Sequence, residues 1–139
     1  MTSQEMWEKS NLKGEYQAWA FGEVPDKLAE LVKSGEKVAT SSAFALYEIE
    51  GEPIPKEGDY SVILSSKDEA VCIIKTTKVD IKEFCMVSKE FAYKEGEGDK
   101  SLSYWRKVHE DFFRKELSFV GMDFSEHSLV VCEEFKVVF

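Results

Sequence analysis

Residues 60–80 read YSVILSSKDEAVCIIKTTKVD. The first five alternate from Tyr60 to Leu64, and SSKDE then supplies a polar turn. The continuation, AVCIIKTTKVD, is a nearly unbroken apolar and β-branched run, the composition of a strand covered on both faces. The spacing predicts two antiparallel strands joined by a short loop, the second central in its sheet.

Upstream, EGEPIPKEGD carries turn chemistry at Pro53, Pro55 and Gly58-Asp59 and leads into the first of these strands. Earlier still, VPDKLAELVKSG reads as a short helix. Pro25 suits its first turn, Leu28, Leu31 and Val32 share a face, and Gly35 ends it. The chain then enters KVATSS, which reads as a strand. Downstream, a mixed stretch with Phe84, Met86, Phe91 and Tyr93 precedes KEGEGDKSLSYWRKVHEDFFRKEL, where Asp99 or Ser101 caps the longest helix. Leu102, Trp105, His109, Phe112, Phe113 and Leu117 form its wide apolar face. The closing SLVVCEEFKVVF alternates, with Leu129, Val131, Phe135, Val137 and Phe139 in one phase. Glu133 falls in that inward phase, an anomalous place for a carboxylate.

The expectation is an α+β fold of four to six largely antiparallel strands curled into a small barrel, with two or three helices packed around it. At 139 residues the chain has the length of one domain, expected to span residues 1–139, with 1–16 a short helical extension. No apolar run approaches the span of a bilayer, and the amino terminus lacks the basic and apolar regions of a signal peptide. A cytoplasmic protein with no membrane association is expected. Cys72, Cys85 and Cys132 are odd in number, widely spaced and set among apolar neighbours, which suits reduced core thiols; neither a metal nor another cofactor is expected. The 27 acidic side chains against 18 basic ones leave a net charge of −9. Such a surface repels long phosphate backbones, whereas a small neutral ligand meets no such barrier.

Two places in the sequence offer chemistry. Lys37, in SGEKVATSS, either caps the preceding helix, where a cation is favoured, or partners something negative. Thr40 lies three residues on, and period-2 geometry keeps the two from sharing a strand face unless the backbone bends. The second place is YKEGEGD. Glycines there let the backbone present Glu95, Glu97 and Asp99 at unusual angles, although one of the three acids suffices for a helix N-terminus. Arg106, at the edge of the long helix's apolar face, could clamp a carboxylate or an anion. His109 and Trp105 read as core, while Trp7, Trp19 and Phe21 are too scattered to form a stacking platform.

Taken together, SGEKVATSS, GDYSVIL, EGEGDKSLSYWRKVHEDFF and VVCEEFKVVF resemble the ASCH domain over roughly residues 17–139. That resemblance implies a PUA-like β-barrel with a cleft that binds RNA or a nucleoside-like ligand. Some members of the family resemble ribonucleases, and one branch hydrolyses the acetyl amide of N4-acetylcytidine with a lysine, a threonine three residues later and a downstream glutamate. Carried onto this chain, the catalytic positions are Lys37, Thr40 and Glu97, with Glu95 the alternative acid. Ser41, Ser42, Glu95, Asp99 and Arg106 are the expected contacts to the ligand. In that arrangement a deprotonated Lys37 takes the Thr40 proton, or a protonated Lys37 steadies an oxyanion, and Glu97 delivers a proton to the leaving amine. A non-catalytic RNA-binding module and a ribonuclease are the alternatives.

Overall fold

The computed structural model describes all 139 residues. In chain order the elements are α1 (Ser3–Ser10), β1 (Gln17–Trp19), α2 (Pro25–Lys33), β2 (Ala39–Ala43), α3 (Phe44–Glu50), β3 (Tyr60–Leu64) and β4 (Ala70–Glu83). A 3-10 turn (Phe84–Met86), α4 (Lys89–Glu95), α5 (Leu102–Phe119) and β5 (Leu129–Val137) follow. The predicted hairpin is β3 and β4, closed by the Ser65 N–H donating to the Glu69 carbonyl.

The strands form one sheet ordered β1-β3-β4-β5-β2, antiparallel except for the parallel β1–β3 pair. The length of β4 produces the curl. Residues 70–75 pair with β3, whereas residues 74–83 pair with β5, and a register shift between Thr76 and Lys78 lies just past the overlap, within the β5-paired part. Such a bulge bends its strand and increases the local twist. The result is a curled half-barrel whose edge strands, β1 and β2, do not pair with each other.

One face of the β4–β5–β2 half packs on α4 and α5 through Ala39, Ala43, Val130 and Cys132 against Phe91, Trp105, Phe113 and Leu117. Phe21, Ala29 and Val32 cover Ile63, Ile74 and Phe135 elsewhere on the sheet. Met6 of α1 packs on Val62 and Ile73. Because β5 lies inside the sheet with cover on both faces, residues of both phases, Val130 to Glu133, are buried. The alternation read from the sequence holds for Val131, Glu133 and Phe135, but Leu129, Val137 and Phe139 at the strand ends are exposed.

Five helices form where two or three were expected, because α3 and α4 are only seven residues long, too short to show a helical period. Ser101, not Asp99, caps α5 by accepting from the Tyr104 N–H at 3.1 Å. Of the three free cysteines, Cys72 and Cys132 are buried as expected, but Cys85 in the 3-10 turn is only partly covered. No helix is long and apolar enough to cross a membrane.

Candidate functional site

Lys37 lies between the end of α2 and the start of β2, and its position is fixed before its side chain does anything. Gly35 turns at φ +86°, and the Glu36 and Lys37 amides both donate to the Leu31 carbonyl at 3.0 Å, closing the helix end. Val38 then joins the Lys94 carbonyl at 2.8 Å, pinning this turn against α4. The Lys37 side chain therefore runs inward rather than capping α2 in solvent. It is 1% exposed.

The Lys37 ammonium donates to Glu95 Oε1 and to Glu97 Oε2, each at 2.9 Å. The Phe21 ring lies below it, with its centroid 5.5 Å away. Glu95 is the hub. Its other oxygen, Oε2, accepts from the Ser41 hydroxyl and from the Trp105 indole N–H, both at 2.6 Å. His109 Nε2 stands 3.5 Å from the same oxygen, and its ring stacks on Trp105 at 4.4 Å between centroids. His109 Nδ1 faces the Trp105 carbonyl at 2.9 Å. A carbonyl only accepts, so Nδ1 carries a proton; a neutral ring would then turn its Nε2 lone pair toward the carboxylate. The imidazolium is the form that suits both neighbours.

The charges reinforce one another. Burial alone would pull the Lys37 ammonium down, but the two carboxylates outweigh it and hold the group above its ordinary value. Burial likewise opposes ionisation of Glu95, yet Lys37, His109 and the hydrogen bonds from His109 and Ser41 keep its carboxyl far below the usual carboxylate range. For His109, burial is overcome by Glu95 and by the Trp105 carbonyl, which raise it. An ion network taken this far out of water is a poor source of stability for its volume. Its place in the fold therefore points to function.

A glycine-flanked loop supplies the outer carboxylate. Gly96 ends α4 at φ +70°, and a Cβ there would run into the Glu36 carbonyl oxygen, so only glycine allows the loop this close to Lys37. Glu97 follows with 17% of its side chain exposed, whereas Glu95 is 1% exposed. Glu97 is thus the solvent-facing end of the network. Glu95, Glu97 and His109 could by donor type hold a cation, but the Lys37 ammonium already lies between the two carboxylates and supplies that charge.

Lys37 and Glu97 meet as the sequence led one to expect, and Glu95 and Ser41 join them. Thr40 and Ser42 do not. In the regular pairing of β2 with β5, Ser41 points at Glu95, so its neighbours occupy the opposite face. There Thr40 lies opposite Glu133, and the Ser42 hydroxyl shares a hydrogen bond with the Tyr47 hydroxyl at 2.8 Å. Glu133 accepts from the Thr76 hydroxyl at 2.6 Å and has no cationic partner, and burial pushes its carboxyl up. Asp99 is exposed in the turn before α5 and accepts from the Ser101 N–H at 2.9 Å. Arg106 is also exposed and reaches toward the Cys85 carbonyl at 3.5 Å.

His109 is buried and hydrogen-bonded as expected, but sequence reasoning missed the Trp105 indole bond to Glu95 and did not single out Glu95 as the buried member of the acidic pair. Phe91, Ala92 and Glu95 fall on one face of α4, and all three are buried, but a helix of seven residues is too short to announce that face in the sequence.

A family model for the ASCH domain matches residues 17–139. Among solved structures, an ASCH domain from Lactobacillus crispatus JV V101 superposes with a TM-score of 0.88 at 33% identity, covering 98% of this chain and 93% of that one. A protein from Enterococcus faecalis V583 superposes with a TM-score of 0.86 at 37% identity, covering 96% and 83%. A comparison with curated proteins returns no match. The half-barrel, the helices around it and the family match over nearly the whole length agree: this chain belongs to the ASCH domain family, with a PUA-like α+β fold.

Proposed function

We propose that the Lys37 cluster is the reaction centre of a hydrolase that removes an acyl group from an exocyclic amine of a modified nucleoside, with N4-acetylcytidine as the representative substrate. One observation carries this reading. A buried ammonium is held at 2.9 Å by two carboxylates, of which only Glu97 reaches solvent. Glu95 holds Lys37 charged, and Glu97 is the member free to exchange partners.

In the proposed reaction the acyl oxygen of the substrate takes the place of Glu97 beside Lys37. Water attacks the acyl carbon, its proton passes to Glu97, and the charge that develops on the acyl oxygen is neutralised by the ammonium. The C–N bond then breaks, Glu97 returns the proton to the leaving amine, and acetate and cytidine are released. Of the two roles open to Lys37, the geometry favours the cation over the base, because two anions oppose its deprotonation.

The experiment incubates the protein with N4-acetylcytidine and follows loss of the acetyl mass. Lys37→Met and Glu97→Gln are expected to lower turnover at least about 100-fold, the usual scale for one oxyanion partner or one acid–base group. Thr40→Ala assigns the nucleophile. Retained turnover means water, as the opposed faces of β2 favour; a loss matching that of Lys37→Met means Thr40. No deacetylation by the folded wild-type protein overturns the proposal.

A second observation favours RNA binding. Lys75 and Lys136 lie directly opposite each other across β4 and β5, a like-charge pair that is unfavourable without an anion. With Glu57, Thr76 and Thr77 they line an open groove of about 490 Å³. If RNA is retained without being changed, and Lys75→Ala with Lys136→Ala reduces both the affinity and its dependence on salt, the domain is a binding module. If RNA is cut and Lys37→Met stops the cutting, it is a ribonuclease.

A further inference from the structure

Where the α4–α5 segment leaves and rejoins the sheet, three different donor side chains meet. Glu83 is the last residue of β4, Cys85 lies in the 3-10 turn, and His127 lies in the turn that leads into β5. One ligand atom from each falls within 4.8 Å of the others. We propose that Glu83, Cys85 and His127 form a binding site for a divalent first-row transition ion such as zinc, independent of the Lys37 cluster.

The backbone holds the site together. The Phe84 N–H donates to the Ser128 carbonyl and the Cys85 N–H to the Glu126 carbonyl, both at 2.9 Å, so the two donor-bearing segments are tied to each other. The turn that carries His127 is itself fixed. The Ser125 hydroxyl accepts from the His127 N–H at 3.1 Å, and the Ser128 hydroxyl accepts from the Ser125 N–H at 2.9 Å.

The donor chemistry is specific. His127 Nδ1 lies 3.1 Å from Glu83 Oε1, close to the separation of neighbouring ligands around an ion bonded at about 2.0–2.3 Å. His127 Nε2 is 3.5 Å from Glu126 Oε1. When Nδ1 binds a metal, Nε2 carries the proton and donates to that carboxylate, an outer partner that orients a ligating imidazole and raises its basicity. Carboxylate, thiolate and imidazole together suit a borderline-soft ion in four-coordinate geometry, and the fourth position is left to water. Binding expels the thiol proton of Cys85, and that of His127 when it is charged, so affinity rises with pH. The ion would staple the two ends of the segment that carries Glu95, Trp105 and His109.

The test uses the untagged, reduced, metal-free full chain titrated with Co²⁺ as a spectroscopic probe. The expected result is a thiolate-to-cobalt charge-transfer band together with the visible bands of four-coordinate cobalt, both removed by stoichiometric Zn²⁺. Cys85→Ser should abolish the charge-transfer band. His127→Ala, a change on an exposed turn that leaves the fold intact, should weaken binding at least about tenfold, and Glu126→Gln should weaken it less. Zn²⁺ should raise the melting temperature of the wild-type chain and not that of His127→Ala. Cys72 and Cys132 are buried in the core and Cys85 is the partly exposed cysteine, so a thiolate-to-cobalt band reports Cys85. Absence of a charge-transfer band, its survival in Cys85→Ser, or cobalt binding without sulfur, as at the carboxylates around Lys37, would each overturn the proposal.

Discussion

Single residues differ most in whether a buried charge has partners. Glu95 has four and Glu133 has one, a hydroxyl. Removing a member of a buried, paired set typically costs about 3–5 kcal/mol because it strands the other charge. Glu95→Ala is therefore expected to be among the most damaging single changes, seen as a large drop in the denaturation midpoint. The reverse holds for Glu133. Its raised carboxyl means that ionisation opposes folding above its unfolded value of 4.5. Glu133→Gln keeps an acceptor for Thr76 and should match or exceed wild-type stability at pH 8, with the advantage vanishing near pH 4. A loss at pH 8 would show that the carboxylate has a favourable partner there. His109 gives a third sign. Its folded value lies above 6.5, so its contribution is complete below pH 6.5 and declines as pH rises through the folded value, by at most about 1.4 kcal/mol per pH unit. Wild-type stability should carry this alkaline decline and His109→Gln should not; equal slopes in the two proteins would remove the charge from His109.

At the scale of the element, the loop from α4 to α5 controls the site. Gly96 has φ +70° and faces the Glu36 carbonyl with no space for a methyl group. Gly96→Ala combines a left-handed backbone with a direct clash, and it should lift Glu97 from Lys37 and destabilise the fold by more than the roughly 1–2 kcal/mol of the backbone term alone. Thermal denaturation beside Gly35→Ala, where nothing crowds the position, separates the clash from the conformation: equal losses in the two variants would refute it. The elements differ in how far the sequence revealed them. The β3–β4 hairpin and α5 were legible because a polar turn between two apolar, β-branched runs and a wide apolar helix face each mark one element, although β3 buries Ser61, Val62 and Ile63 in succession rather than alternating as expected. The two seven-residue helices, α3 and α4, were not. α3 has no buried residue and no side-chain cap, so its sequence bears neither mark by which a helix is read. β1, three residues long, likewise shows no alternation.

At the scale of the whole molecule, the curl of the sheet brings α2, β2, α4 and α5 together around one ammonium. Residues 58 and 60 positions apart in the chain meet at Lys37, and local periods carry no information about such distances. The resemblance to the family marked Lys37 and the acidic loop, but the ranking of Glu95 and Glu97 depended on which of the two the end of α4 turns inward. Strand geometry set Thr40 apart from Lys37 unless the backbone bends, and no bulge intervenes in β2. The fold delivers Lys37 as a charged cation held by two carboxylates. A nuclear magnetic resonance pH titration of the Lys37 side chain in the folded protein reads that charge. The ammonium is expected to stay protonated past 10.5, its ordinary value, until the fold gives way. A titration midpoint near neutrality, at about pH 7–8 as a lysine serving as general base requires, would contradict it.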